Sequence, residues 1–277
     1  MPDVQEPRRD TCPWCGSPRL RTGRGGGFAE CEECGHGFRA TAGDVRGPLL
    51  DRALATRTSR RRLLATAHAM TPFPEPESWL DVGTGYADFP EAAKELFTYT
   101  SFDGVDATPR VDRARSAGRV EEAHRELTPA LDSRYDVVSV LHHLEHTPDP
   151  RAELAAVLRT LRPGGHALLE LPDPASLGTW RLPQARHLIP LENLRTELET
   201  QGCEIITTDR RGAHIPYDVS TATALLLTRH IPPRVFPLTN PLLALATALD
   251  HTVAPALRRT RFANTYRVIA RRRKGVA

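Results

Sequence analysis

The sequence is almost without lysine: Lys94 and Lys274 are the two copies in 277 residues, and arginine carries the remaining positive charge. Alanine and proline are abundant too, a compositional bias that lowers the functional weight of any isolated arginine. No uninterrupted apolar run is long enough to cross a bilayer, and no basic-then-apolar leader opens the chain, so the expected location is cytoplasmic. A formal charge of +3 argues neither for nor against a nucleic-acid partner. Cysteine is scarce, and beyond residue 34 only Cys203 remains, best read as a buried small residue. The length suits one full domain with its own core plus a small extra module.

The other four cysteines lie in CPWCG and CEECG, as two C-x2-C pairs: Cys12 with Cys15, and Cys31 with Cys34. That spacing is the pattern of two knuckles around a tetrahedral zinc ion. Gly16 and Gly35 each follow a second cysteine, where a tight turn excludes a Cβ. Disulfides are the rival reading, disfavoured because nothing points to secretion. Four thiolates fill the tetrahedron, so the expected zinc is structural, and a segment with so few apolar residues needs it to fold. His36 is expected outside the ligand set, at the surface or just behind the ligands.

From Asp44 to about Met70, Leu49, Leu50, Leu54, Leu63 and Leu64 predict an arginine-rich helix, ended by Pro72, Pro74 and Pro76. The expected organisation is a zinc ribbon over 1–43, a helical linker over 44–74 and a main domain over 75–277. The basic face of the linker (Arg57, Arg60 to Arg62) reads as solvated, with nucleic-acid contact as the alternative. The main domain alternates strands at 79–82, 100–105, 135–140, 166–171 and 204–208 with helices near 88–97, 109–117, 150–161 and 191–201. YDVVSV is apolar on both faces, as a central parallel strand requires, and RPGG at 162–165 turns the chain into the next strand. VEEAHREL at 120–127 fits strand or helix. Residues 213–262 read as an apolar insertion, either a lid or greasy groove over the site, or extra core or a dimer face. NTYRVIARR at 264–272 closes the sheet, and the basic run from Arg258 to Lys274 reads as a solvated end, with an anionic surface as the alternative partner.

One stretch, SWLDVGTGY at 78–86, organises the main domain as a buried strand followed by a glycine turn and a helix. Asp81 closes the strand, and Asp106 in FDGVDAT ends the next strand about 20 residues beyond the turn, the spacing of a βαβ nucleoside pocket. A pyrophosphate binder wants G-x-G-x-x-G, whereas Gly83 and Gly85 are followed here by Ala87 and Asp88. A carboxylate at the helix start would repel a diphosphate.

DVGTG, Asp106, YDVV with its LEH, and LRPGG before a strand together resemble the class I S-adenosylmethionine-dependent methyltransferases, over about residues 75 to 210. The resemblance implies a Rossmann-like, doubly wound, seven-stranded α/β sheet preceded by the small N-terminal zinc ribbon. It implies S-adenosylmethionine as cofactor, with Asp81, Gly83, Thr84, Gly85 and Tyr86 at its methionine portion. Asp106, followed by Ala107, then takes the ribose hydroxyls, and Leu141 and His142 line the sulfonium end. Ala87 stands where a third glycine is common, and the acidic group near the adenine amine is not evident, though Glu122 or His124 could fill the place. Ribbon-bearing members of the superfamily act on sugars or natural products, while a ribosomal RNA branch uses a mixed Cys/His site unlike these four cysteines.

Methyl transfer is an in-line displacement, so the enzyme aligns a nucleophile behind the methyl and, for a hydroxyl, removes its proton. HHLEH sets His146, the first choice for that role, and His143, the second, beside the sulfonium end; bracing the loop is the alternative. His142 and His146 lack a third partner for a metal. His187 precedes the helix after the fifth strand, where family members point a residue at the acceptor, although capping or packing suits it equally. The expected activity is methyl transfer to an O, N or C atom of a small molecule such as a sugar or lipid-linked natural-product intermediate. RNA methylation and a non-catalytic zinc-ribbon scaffold are the rival readings.

Overall fold

The structure, a computed structural model, describes residues 10–23, 27–39, 59–176, 185–210, 213, 218–232, 238–257 and 264–274. Two compact units result: one of Arg60–Leu171, Leu191–Asp209 and Tyr266–Ala277, the other of Met1–Ser59, Pro172–Pro190 and Arg210–Thr265. Residues 172–190, which sequence assigns to the main domain, thus cluster with the cysteine segment.

The strands in chain order are β1 (Leu20–Thr22), β2 (Ala29–Cys31), β3 (Gly37–Phe38), β4 (Ser78–Val82), β5 (Ser101–Val105), β6 (Ala123–His124), β7 (Tyr135–Leu141), β8 (Leu161–Pro172), β9 (His187–Leu188), β10 (Cys203–Asp209) and β11 (Thr265–Arg272). The α-helices are α1 (Arg60–Ala67), α2 (Asp88–Ala93), α3 (Arg110–Ser116), α4 (Pro150–Thr160), α5 (Leu191–Thr200), α6 (Asp218–His230) and α7 (Asn240–Leu257).

The first unit is a seven-stranded sheet in the order β10-β11-β8-β7-β4-β5-β6. Its β4–β5, β5–β6, β4–β7 and β7–β8 pairs are parallel, and β10 runs antiparallel to β11. This is the doubly wound α/β sheet expected from the alternation. The ambiguous VEEAHREL segment contributes only the two-residue edge strand β6. Between β4 and β7 the strand order reverses, which is where such sheets open a crevice for ligands at their carboxyl ends.

Local signals explain the helices. Asp149 caps α4 by accepting from the amides of Arg151 and Ala152, with Pro150 at the first helical position. Gly202, at φ +80°, ends the helical turn after α5 and starts β10. RPGG is a bulge rather than a break: Tyr135 opposes Leu161 while Val137 opposes His166, so residues 162–165 swell out of a strand that runs through them.

The core centres on Trp79, fully buried, stacked on Phe102 at 5.4 Å with Phe89 and Phe97 at its edges. Leu63, Ala67 and Met70 from α1 and the turn after it join the same cluster. Of the arginine-rich linker, residues 44–58, with Leu49, Leu50, Leu54 and Arg57, lie outside the described residues. Arg60 pairs with Glu95 at the surface, but Arg62 is buried, so the expected solvated basic face holds only in part.

In the second unit β1, β2, β3 and β9 form an antiparallel sheet. The strand β9 comes from far along the chain and pairs Phe38 with His187 and Gly37 with Leu188. The same unit holds α6 and α7, packed together through Ala224, Leu227 and Leu243 with Ile231 beside them.

Candidate functional site

The turn between β4 and α2 is left-handed at alternate residues: Gly83 at φ +75°, Gly85 at +57° and Ala87 at +56°. Gly83 is required twice over. A Cβ there would lie 2.5 Å from Cγ and Nδ1 of the His143 ring, so the turn and the histidine loop occupy one another's space. Ala87 takes the third left-handed position with its methyl buried against Ala114 and Val120, which offsets part of the conformational cost.

Asp81 ends β4 beneath this turn, and the register sets it opposite Ser139 of β7. A buried relay fixes it: Trp79 Nε1 donates to Ser139 Oγ at 2.9 Å, and Ser139 Oγ donates to Asp81 Oδ1 at 2.5 Å. Burial pushes the Asp81 carboxyl up to about 6, against the pull of Ser139. Among the described residues no arginine or lysine forms an ion pair with Asp81, which fits an ammonium-bearing ligand.

Asp106, just past β5, is held by three donors. Gly85 N donates to Oδ2 at 3.0 Å, Thr108 N donates to Oδ1 at 2.8 Å, and Thr108 Oγ1 donates to Oδ1 as well. Ala107 follows it, and the Ala107 carbonyl accepts from Arg125. Thr84 packs its methyl on Gly104, where a Cβ would meet it at 2.8 Å, and Tyr86 stays 44% exposed over the turn. Asp88 does not face a ligand unpartnered: Arg119 donates to it at 2.6 Å and also to the Tyr86 carbonyl. The sequence argument against a diphosphate therefore loses its electrostatic part, and the burial of Asp81 takes its place.

Leu141 ends β7 and His142 follows it at φ +53°, a strained conformation for a residue with a Cβ. Its amide donates to the Glu170 carbonyl at 2.9 Å. His143 Nε2 lies 3.1 Å from Glu153 Oε1. Glu145 is buried, with Oε1 3.4 Å from His142 Nδ1 and 3.7 Å from His146 Nε2. His142 and His146 thus share the Glu145 carboxylate while His143 pairs with Glu153, and His146 is the most open of the three to solvent at 35%.

Glu170, buried near the end of β8, is a site residue that sequence reading missed. Arg62 and Arg267 both donate to it, the latter from Nε at 2.7 Å, and Thr66 Oγ1 donates at 3.1 Å. Burial alone would raise its pKa, but the two guanidiniums outweigh it and hold the carboxyl at about 2. Arg271 meanwhile pairs with Glu204, and Arg272 donates to the carbonyls of Leu158, Arg159 and Leu161. The basic run read as a solvated end is thus partly absorbed by the fold, while Arg258, Arg259 and Arg261 lie outside the described residues.

Glu122 and His124, possible adenine neighbours by sequence, face each other at 3.3 Å on the sheet edge. Arg134 donates to the same Glu122 oxygen, and Asp103 accepts from the Glu122 amide and from Tyr135 Oη.

In the second unit the four cysteines converge. Cys12 and Cys34 sulfurs are 3.7 Å apart, and those of Cys15 and Cys31 are 3.6 Å apart. These separations are too long for disulfides, whereas a tetrahedral ion with bonds of about 2.3 Å sets its sulfurs about 3.8 Å apart. The knuckle turns close through Gly16 N to Cys12 O and Gly35 N to Cys31 O. His36, expected at the surface or just behind the ligands, is fully buried, stacked on Trp14 and 3.0 Å from His187 Nδ1, which leaves the second alternative. His187 is correspondingly buried within this sheet.

A methyltransferase domain family matches residues 52–208, more than half of the chain. This chain belongs to that family. The methyltransferase is 34% identical over 96 residues to a ubiquinone biosynthesis O-methyltransferase from Alkalilimnicola ehrlichii, a match spanning 32% of this chain and 39% of that protein. Well under half of the curated relative's length is therefore shared. Its fold is similar to that of the plantazolicin methyltransferase BamL, solved in complex with a triazolic desmethylPZN analogue and SAH: TM-score 0.55 and 14% identity over 82% of this chain and 90% of that one. A SAM-dependent methyltransferase from Archaeoglobus fulgidus gives 0.52 and 18% over 82% and 100%. The sheet is thus that of the S-adenosylmethionine-dependent methyltransferases, and among the described residues no helix is long and apolar enough to cross a membrane.

Proposed function

We propose that this methyltransferase transfers a methyl group from S-adenosylmethionine to an O, N or C atom of a small-molecule acceptor, and that its N-terminal ribbon is stapled by zinc on Cys12, Cys15, Cys31 and Cys34. The observation that carries the reading is Asp81, a buried carboxylate aimed by Ser139 beneath a left-handed glycine turn, with Asp106 clamped beyond it. Asp81 meets the cofactor's ammonium. The backbone from Gly83 to Gly85 lets the methionine portion approach, flanked by Thr84 and Tyr86. Asp106 accepts the ribose hydroxyls beside Ala107, and Leu141 and His142 line the sulfonium end. When bound, the cofactor supplies a methyl on a positively charged sulfur.

His146 is the leading candidate to take the acceptor's proton, since it is the most open of the three histidines after β7. His143 serves better as the wall behind Gly83, and the burial of His187 against His36 favours packing over catalysis. The names of the ubiquinone biosynthesis O-methyltransferase and the plantazolicin methyltransferase support a small-molecule acceptor. Engagement of Arg267, Arg271 and Arg272 within the fold removes one support for RNA.

Titration calorimetry with S-adenosylmethionine tests the cofactor: binding is expected, and Asp106→Ala should weaken it severely. No binding by the wild-type chain would sink the proposal. Mass spectrometry of candidate acceptors for a methyl gain identifies the substrate.

A further inference from the structure

We propose that α6 and α7 form an interfacial anchor that rests on an anionic phospholipid surface. Along α7, Leu242, Leu245, Leu249 and Val253 recur three or four residues apart and are 49%, 57%, 44% and 38% exposed. That spacing draws one stripe on a helix. The exposed residues between Pro241 and Val253 include no Asp, Glu, Lys or Arg. Leu226 of α6 and Leu238 ahead of α7 are also exposed, at 61% and 80%. Single exposed leucines are ordinary, but a continuous charge-free apolar stripe marks an interaction surface.

Charge selects the occupant. Beyond Asp218, the first residue of α6, the sequence to residue 277 holds nine arginines, one lysine and a single acidic residue, Asp250. It is 3% exposed and accepts from the amides of Val219 at 2.7 Å and Ser220 at 2.8 Å, at the start of α6. No carboxylate from this segment therefore reaches the surface among the described residues. In sequence, Arg229 and Arg234 lie around the connection between the helices, and Arg258, Arg259 and Arg261 follow α7. An apolar stripe within a segment of strongly basic sequence complements anionic headgroups above acyl chains. A second copy of this chain would instead bring two like-charged segments together. With no helix among the described residues able to span a bilayer, the pair lies in the interface plane.

The test is flotation of the full-length protein with vesicles of phosphatidylcholine alone, or of phosphatidylcholine mixed with phosphatidylglycerol. Binding to the mixed vesicles should exceed binding to the neutral ones by about tenfold or more and should fall with added salt. Leu245→Glu with Leu249→Glu should cut vesicle binding by about tenfold while leaving thermal unfolding and S-adenosylmethionine binding unchanged. Leu245→Gln with Leu249→Gln should show the same loss in part and serves if the charged pair disturbs folding. A wild type that ignores the mixed vesicles at low salt overturns the proposal, as does a folded variant that floats as well as the wild type. Light scattering that finds a dimer, made monomeric by these changes without any vesicle binding, assigns the stripe to a second copy and also overturns it. Cofactor binding is read separately, so its failure would count against the enzymatic reading and leave this one standing.

Discussion

The His143 ring fills the space that any side chain at position 83 would need: a Cβ on Gly83 would sit 2.5 Å from its Cγ and Nδ1. The loop after β7 and the turn after β4 are therefore fitted to each other before a ligand arrives. Gly83→Ala should cost about 1–3 kcal/mol from left-handed strain and overpacking, and should weaken S-adenosylmethionine binding. Adding His143→Ala relieves the clash but not the strain. In urea unfolding the double variant should be more stable than the sum of the two single losses, and strict additivity would show that the two residues do not touch.

Asp81 sets a pH dependence whose sign is fixed by burial. Its folded carboxyl titrates at about 6 against an ordinary 3.8, so the folded chain keeps a proton that the unfolded chain has released. The ligand-free protein should therefore lose up to about 3 kcal/mol of stability as pH rises through that window. Cofactor affinity should run the other way, falling about tenfold for each pH unit below 6 as the carboxylate is neutralised. Asp81→Asn should flatten the binding curve. Ser139→Ala removes the donor to Asp81 and leaves Trp79 Nε1 without its acceptor, at a cost of about 1–3 kcal/mol, and should move the binding transition to higher pH.

Glu170 behaves oppositely. With its carboxyl held at about 2 against an ordinary 4.5, its contribution is complete above 4.5 and lost as pH falls towards 2. Glu170→Gln strands Arg62 and Arg267 in the interior and should cost about 3–5 kcal/mol in chemical denaturation. A loss below 1 kcal/mol would mean that the guanidiniums find other partners.

The ribbon should carry one zinc per chain by elemental analysis. Cys31→Ala or a strong chelator should remove it and expose Trp14, which is 8% accessible and stacked on His36, giving a red-shifted emission. That shift should vanish in Trp14→Phe, and a ribbon that keeps its emission without metal would contradict the staple.

Much of this architecture was readable from residues because its signals are local. The strand ends at Asp81 and Asp106, the glycine turn and the C-x2-C pairs each lie within a few positions. Ser139 and Glu170 give a fainter signal, each a polar residue flanked on both sides by apolar ones within its strand, the sign of a buried hydrogen bond. Arg62 and Arg267 were submerged in a chain rich in arginine, and only the fold shows which guanidiniums are enclosed. The pairing of His36 with His187 spans 151 positions and left no trace in either neighbourhood.

The three donors on Asp106 carry a consequence for selectivity. Gly85 and Thr108 hold both of its oxygens, so the carboxylate is set in one orientation. In its proposed role at the ribose, little rotational entropy would remain to be lost when a sugar diol docks, which favours affinity through preorganisation. The same rigidity makes the position an anion filter. With Asp106 in that proposed role, a ribose bearing a phosphate would confront a negative charge that cannot swing away, and nucleosides phosphorylated at the ribose hydroxyls should be turned back.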